Sequence, residues 1–164
     1  MSFTPPAPLD HSHLLEEFYS GTPSLDDWLR RRALSNQESG ASRTFVLCQR
    51  GKVVAYYALA SSSIACADAM GRFRRNMPEP IPVIALARLA IDQSLQGQGF
   101  GRALVRDAGR RVIAAADLIG VRGMIVHAIS EDAKQFYLRC GFLPSPTSEM
   151  TLMIPLNDLK AEDS

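Results

Sequence analysis

Between residues 96 and 101 the chain reads Gln96-Gly97-Gln98-Gly99-Phe100-Gly101, with glycine at every second position. Glycines there let successive main-chain N–H groups converge on one point with no side chain in the way. The amphipathic run that follows, expected to form a helix over about 102–116, would aim its positive end at the same point. That pair of features suits a diphosphate. A Walker A loop is excluded because Gly101 is followed by Arg102 and not by Lys-Ser/Thr. A dinucleotide fingerprint is excluded too: at least two strands precede the loop, and the downstream run VRGMIVHAI lacks the acid that fingerprint needs.

Tyr137 is the second candidate. A tyrosine of ordinary pKa, about 10, keeps its proton at neutral pH and can act as a general acid. Beside Phe136 it can equally be a packed ring. His127 alternates with Ile125 and Ile129 on an apolar run and reads as a hydrogen-bonded core residue, so no general base announces itself. His11 and His13 lie in a polar N-terminal segment where no metal site is expected. Cys48, Cys66 and Cys140 are far apart, which speaks against a disulfide framework or zinc site and for a reduced, cytoplasmic protein.

The elements that must position these groups follow from periodicity and punctuation. Pro5, Pro6 and Pro8 give an extended tail over 1–8. Ser24 is expected to cap a helix with Asp26 and Asp27 in its first turn, ended by Gly40. Strands are expected at Thr44–Cys48 and Val53–Ala67, joined by a turn at Gln49–Lys52, then at Val83–Ile91, Gly123–Ile129 and Glu149–Ile154. Asp68–Pro82 reads as irregular, and Glu131–Cys140 as a short helix closed by Gly141. The succession of strands and helices indicates an α+β (mixed α/β) layer fold.

With 164 residues, 46% of them hydrophobic, the chain is sized for one domain over 1–164 and is not disordered. No apolar run is long enough for a membrane helix, and the N-terminus has neither the basic start nor the apolar core of a signal peptide. Net charge is only +1, yet Arg72 to Arg122 holds nine arginines against four acids, and arginine outnumbers lysine 15 to 3 in the chain. A guanidinium forks onto phosphate where an ammonium cannot. The middle of the chain therefore has the chemistry either of an anion-binding surface or of a solvated basic face.

The glycine loop resembles the acetyl-CoA loop of the GNAT N-acetyltransferases, whose pattern Gln/Arg-x-x-Gly-x-Gly/Ala is supplied by Gln96, Gly99 and Gly101. Leu89-Ala90-Ile91 before it is similar to the end of that family's splayed central strand, and Arg102-Ala103-Leu104-Val105 to its post-loop helix. Ala133-Lys134-Gln135-Phe136-Tyr137 with Gly141-Phe142 resembles its "A…Y-x-x-x-GF" segment. The resemblance covers roughly residues 44–154 and implies a mostly antiparallel, splayed central sheet flanked by helices. It implies that Leu89, Ala90, Ile91, Gln96, Gly97, Gln98, Gly99, Phe100, Gly101, Arg102 and Ser130 hold acetyl-CoA. Many relatives have asparagine at the position of Ser130. It also implies that a main-chain N–H near Ile91 faces the thioester oxygen and that Tyr137 protonates the leaving sulfur.

Residues 18–34, Ser42–Leu47, Leu86–Ala90 and the stretch from Phe136-Tyr137 to Gly141–Pro146 are similar to one subgroup, the tRNA-acetylating toxins of type II toxin–antitoxin systems (the TacT, KacT and AtaT type). Many members carry cysteine where this chain has Ser20. The subgroup implies an aminoacyl-tRNA acceptor, a homodimer, and neutralisation by a small ribbon-helix-helix antitoxin. Arg102, Arg106 and Arg110 recur every four residues on one helix face. With Arg72, Arg74, Arg75 and Arg88 they form the expected tRNA-binding set, although Arg102 can instead serve the cofactor's phosphates. Competing expectations are acetylation of a small amine or a protein N-terminus, and a non-enzymatic binding module.

Overall fold

The computed structural model describes residues 2–163. They form two compact units, one from residues up to Ala60 with Ala87–Leu104, the other from Ser61–Leu86 with the residues from Val105 onward.

In the first unit β1 (Thr4–Pro8) pairs antiparallel with β2 (Arg43–Gln49), and β2 with β3 (Lys52–Ile64). The turn between the last two sits at Arg50-Gly51, where both residues take positive φ, 55° and 77°, as a two-residue hairpin requires. The expected N-terminal tail is thus a strand. Its three prolines are tolerated because it pairs with β2 alone, so it has no need of a full set of ladder donors. A helical stretch follows: α1 (Pro23–Trp28), a π-helical turn over Leu29–Ala33, and α2 (Leu34–Ser39), closed by Gly40 at φ 86°. Its N-cap is Thr22, with Pro23 taking the first position, so Ser24 lies inside the helix and does not cap it. Leu25, Leu29 and Ala33 are buried in one cluster with Phe18, Val46 and Tyr56. Asp26 lies in the first turn as expected and is buried as well.

The second unit contains α3 (Gly71–Arg74), inside the stretch that reads as irregular from sequence, and the start of β4 (Ile81–Ile91). β4 pairs in parallel with β5 (Gly123–His127), Ile84 with Met124 and Ala85 with Ile125. β5 pairs antiparallel with β7 (Thr151–Pro155), which pairs antiparallel with the two-residue β6 (Leu143–Pro144). Strand order is therefore β1-β2-β3-β4 in the first unit and β4-β5-β7-β6 in the second. Beyond Leu86 β4 passes into the first unit, so its parallel pairing within the second is confined to its first half.

The helices α4 (Phe100–Ala116), α5 (Glu131–Arg139) and α6 (Leu156–Asp163) complete the α+β fold. α6 escaped the sequence reading. Its composition is polar, and Leu159 is the one side chain it buries; the helix is set by Leu156 N–H bonding to Arg122 O (2.9 Å) directly after β7. Among the described residues no helix is long and apolar enough to cross a membrane.

Gly123 is held by β7: a Cβ placed there would lie 2.2 Å from Ile154 O and 2.9 Å from Pro155 Cα. Backbone cannot yield as a flexible side chain can. Gly123→Ala is expected to cost about 2–3 kcal/mol of stability and to lower the melting midpoint by roughly 5–10 °C, read by thermal denaturation.

Candidate active site

The loop between β4 and α4 is built as the glycine spacing required. Gly97 and Gly99 take φ of 78° and 87°, a conformation costly for any residue with a Cβ. A short 3₁₀ turn, Gln93–Leu95, leads in, capped by Asp92, whose carboxylate accepts from Ser94 N–H at 3.1 Å. Ala103 N–H is the first donor of the following helix to find a main-chain acceptor, Gly99 O at 3.1 Å. Among the described residues the N–H groups of Gly97, Gln98, Gly99, Phe100, Gly101 and Arg102 donate to none. Six consecutive free amides at the positive end of a 17-residue helix form a cradle for an anion. The Arg102 side chain is exposed beside them and makes no described ion pair. The Phe100 ring packs edge-on against Phe3 with ring centres 5.1 Å apart.

Gln96 has a structural role that its place in the loop pattern did not announce. Its amide nitrogen donates to Ser20 O (2.7 Å) and to Ile91 O (2.9 Å), which uses both of its hydrogens. The side chain therefore braces the loop against the end of β4 and does not reach a ligand through its N–H groups. Ser20 is itself fixed by Asp26, whose carboxylate accepts from Ser20 N–H (3.1 Å) and Oγ–H (2.5 Å). Tyr19 N–H donates to Asp92 Oδ2 (3.0 Å), and Gln93 N–H to Tyr19 O (2.8 Å). Residues 19–26 thus hold the approach to the glycine loop. Sequence reasoning placed Ser20 and Asp26 in the resembling segment but missed this role, because no local pattern announces a contact spanning 76 positions.

Leu89, Ala90 and Ile91 close β4, with Ala90 buried and the other two half-buried. Arg88, one step earlier, lies over the face of Trp28, 5.1 Å from its ring centre, and Trp28 stacks on Tyr56 at 6.0 Å and 12°. Tyr56 is anchored by donating to Leu25 O at 2.6 Å. The guanidinium is thus held in place by a ring stack and, among the described residues, forms no ion pair with a carboxylate.

In the second unit Tyr137 is the buried residue of α5. Its ring packs edge-on against Phe136 (5.1 Å between centres) and Phe142 (5.5 Å). Burial, with a smaller contribution from Cys140, pushes the phenol pKa above its ordinary value. The hydroxyl therefore stays protonated throughout neutral pH, and among the described residues it has no hydrogen-bond partner. It is a donor with its proton unspent. Ser130 is the N-cap of α5, its Oγ accepting from Ala133 N–H at 3.1 Å. That structural duty explains a serine at this position, and its own O–H remains able to donate.

The arginines divide. Arg72 is bound to Asp158 through both guanidinium arms, and this hydrogen bonding raises its pKa further; Arg110 is bound to Asp163 at 2.6 Å. Both carboxylates lie on α6, the helix that the sequence did not announce. Arg74, Arg75 and Arg106 are exposed and make no described ion pair. His127, expected in the core, is exposed at the end of β5, its Nδ1 2.9 Å from Thr151 Oγ1. The strand's unbroken buried run, Gly123 to Val126, ends one residue short of it.

An anion cradle of free amides ahead of a helix, on an α+β fold, is what an acyl-CoA-dependent transferase requires. The profile of the acetyltransferase (GNAT) domain matches residues 40–144, and the chain belongs to that family; its reaction is N-acetyl transfer from acetyl-CoA. It is 50% identical over 159 residues to the "tRNA-acetylating toxin" of Mycobacterium tuberculosis (strain ATCC 25618 / H37Rv), covering 97% of this chain and 96% of that one. Among solved structures it is similar to AtaT complexed with acetyl-methionyl-tRNAfMet, with a TM-score of 0.91 and 30% identity over 99% of this chain and 100% of that one. It is also similar to a tyrosine-to-phenylalanine variant of AtaT bound to the C-terminus of the antitoxin AtaR and acetyl-CoA, with a TM-score of 0.82 and 31% identity over 98% of this chain and 97% of that one.

Proposed function

We propose that this protein is the toxin of a toxin–antitoxin pair and that it blocks translation by acetylating the α-amino group of aminoacyl-tRNA. One observation carries the acceptor: nearly the whole chain, not the cofactor-binding part alone, is similar at 50% identity to a tRNA-acetylating toxin. The proposal extends to a single working domain, supported by β3, β4 and α4, each of which begins in one unit and ends in the other. It extends also to a cytoplasmic homodimer restrained by a ribbon-helix-helix antitoxin, supported by the subgroup resemblance and by the antitoxin seen on AtaT.

Acetyl-CoA supplies an activated acyl group and a thiolate leaving group. The free amides of 97–102, with Arg102 beside them, match the charge and size of its diphosphate. The main chain of Leu89–Ile91 orients the pantetheine arm, and an N–H near Ile91 stabilises negative charge on the carbonyl oxygen. Tyr137 hands its proton to the departing sulfur. Arg74, Arg75, Arg88 and Arg106 contact the acceptor-stem phosphates. Arg72 and Arg110 contribute only where a phosphate displaces Asp158 or Asp163.

The test incubates the protein with labelled acetyl-CoA and bulk charged tRNA. Label in N-acetyl-aminoacyl ester is expected; label only on small amines or on proteins would replace this reading with the corresponding one. In the same assay Arg106→Ala is expected to raise KM for tRNA about threefold to tenfold and to make log(kcat/KM) fall less steeply with log salt, by about one contact.

A further inference from the structure

At the end of β5 the second unit holds a 450 Å³ hollow whose lining includes Asp68, His127, Ser145, Thr147, Ser148 and Thr151. Asp68 and His127 are its titratable groups, and no arginine or lysine enters the lining. In a chain whose middle is strongly basic, this concavity is suited to a cation and not to a phosphate. Its polar groups are preorganised. Asp68 Oδ1 accepts from Thr147 Oγ1 at 2.7 Å, and Asp68 O from Ser145 Oγ at 2.5 Å. Thr151 Oγ1 lies 2.9 Å from His127 Nδ1 and 3.2 Å from Ser148 Oγ. A ring whose Nδ1 donates to Thr151 carries its lone pair on Nε2, to which no described group bonds. Asp68 Oδ2 likewise has no described partner.

Resting on the function proposed above, we infer that this hollow receives the aminoacyl end of the acceptor, with Asp68 attracting its α-ammonium and His127 Nε2 taking the first proton. The ammonium loses one proton to Nε2, which later releases it to solvent. The freed nitrogen lone pair forms the C–N bond, and the C–S bond breaks with its electron pair leaving on sulfur. The second proton shed by nitrogen restores, through solvent, the one that Tyr137 gives to sulfur. The nitrogen keeps one hydrogen, as an amide should. Hydroxyls on the rim and the absence of a base elsewhere in the chain's motifs fit this assignment, since an α-amine needs only modest help to deprotonate.

The experiment measures steady-state acetylation of charged tRNA by wild type, Asp68→Asn and His127→Ala, with acetyl-CoA affinity by calorimetry as a second readout. Asp68→Asn keeps the oxygen that Thr147 needs but removes the charge; KM for tRNA is expected to rise about threefold to tenfold with kcat nearly kept. His127→Ala is expected to lower kcat about tenfold to a hundredfold with KM nearly kept, and added imidazole to restore part of it. Acetyl-CoA affinity stays at the wild-type value in both. Wild-type kinetics in both variants would overturn the assignment. So would loss of acetyl-CoA binding along with activity, which would mark the residues as structural. A wild-type enzyme that makes no N-acetyl-aminoacyl ester would instead sink the function reading, and the inference with it.

Discussion

Tyr137→Phe is expected to lower kcat by about a hundredfold to a thousandfold while leaving the melting midpoint and the acetyl-CoA affinity close to wild type. The reason lies in how the ring is held. Its contacts with Phe136 and Phe142 are made by the aromatic faces and edges, which phenylalanine keeps, and its hydroxyl makes no described bond whose loss would unsettle the packing. What disappears is a buried proton donor whose pKa is raised by desolvation. Without it the sulfur leaves as a bare thiolate or waits for water. The effect should therefore fall on kcat and spare KM, the pattern of a group that acts in the transition state alone. Expressed in cells, the wild-type protein should arrest growth and Tyr137→Phe should relieve the arrest. Full activity of the variant would remove Tyr137 from the chemistry.

Gly99→Val is expected to weaken acetyl-CoA binding about a hundredfold, measured by calorimetry, with little loss of thermal stability. A Cβ at Gly99 meets nothing within 4 Å, so packing does not oppose it. Two other terms do. At φ 87° a β-branched residue is strained, and relaxing the strain turns the neighbouring amides out of line. The new side chain also fills the space in front of six N–H groups that make no hydrogen bond among the described residues, where the proposed diphosphate would bind. Hydrogen bonds to a charged partner contribute about 1.5–3 kcal/mol each, so misaligning two accounts for a loss of this size. Gly40→Val is the control: it also has positive φ and open space, but it closes α2 and is not part of the glycine loop, and it should leave the affinity unchanged.

The two variants separate the halves of the reading. One removes a proton and spares binding; the other removes binding and spares the proton donor.

Much of this was legible in the residue order, because it depends on local rules. Alternate glycines between an apolar run and an amphipathic one dictate a turn with free amides ahead of a helix, whatever lies around it. Tyr137 followed by Gly141-Phe142 dictates a helix ending at a left-handed glycine, and the structure places Gly141 at φ 100°. The hairpin at Arg50-Gly51 and most strands fell within a few residues of expectation for the same reason: their periodicity is written in the next two or four positions.

What only tertiary structure decided concerns partners far apart in the chain. A polar, weakly periodic C-terminus becomes α6 because Leu159 finds cover and Leu156 a carbonyl, and the helix then sets Asp158 and Asp163 against two arginines that sequence alone left free for RNA. Gln96 also braces the loop, since Ser20 O, 76 positions away, is brought within 2.7 Å of it. His127 reads as core but meets solvent beside Asp68, Thr147 and Thr151. Local propensity is settled by neighbours along the chain, whereas charge neutralisation, hydrogen-bond satisfaction and exposure are settled by neighbours in space, and these exist only once the strands have paired.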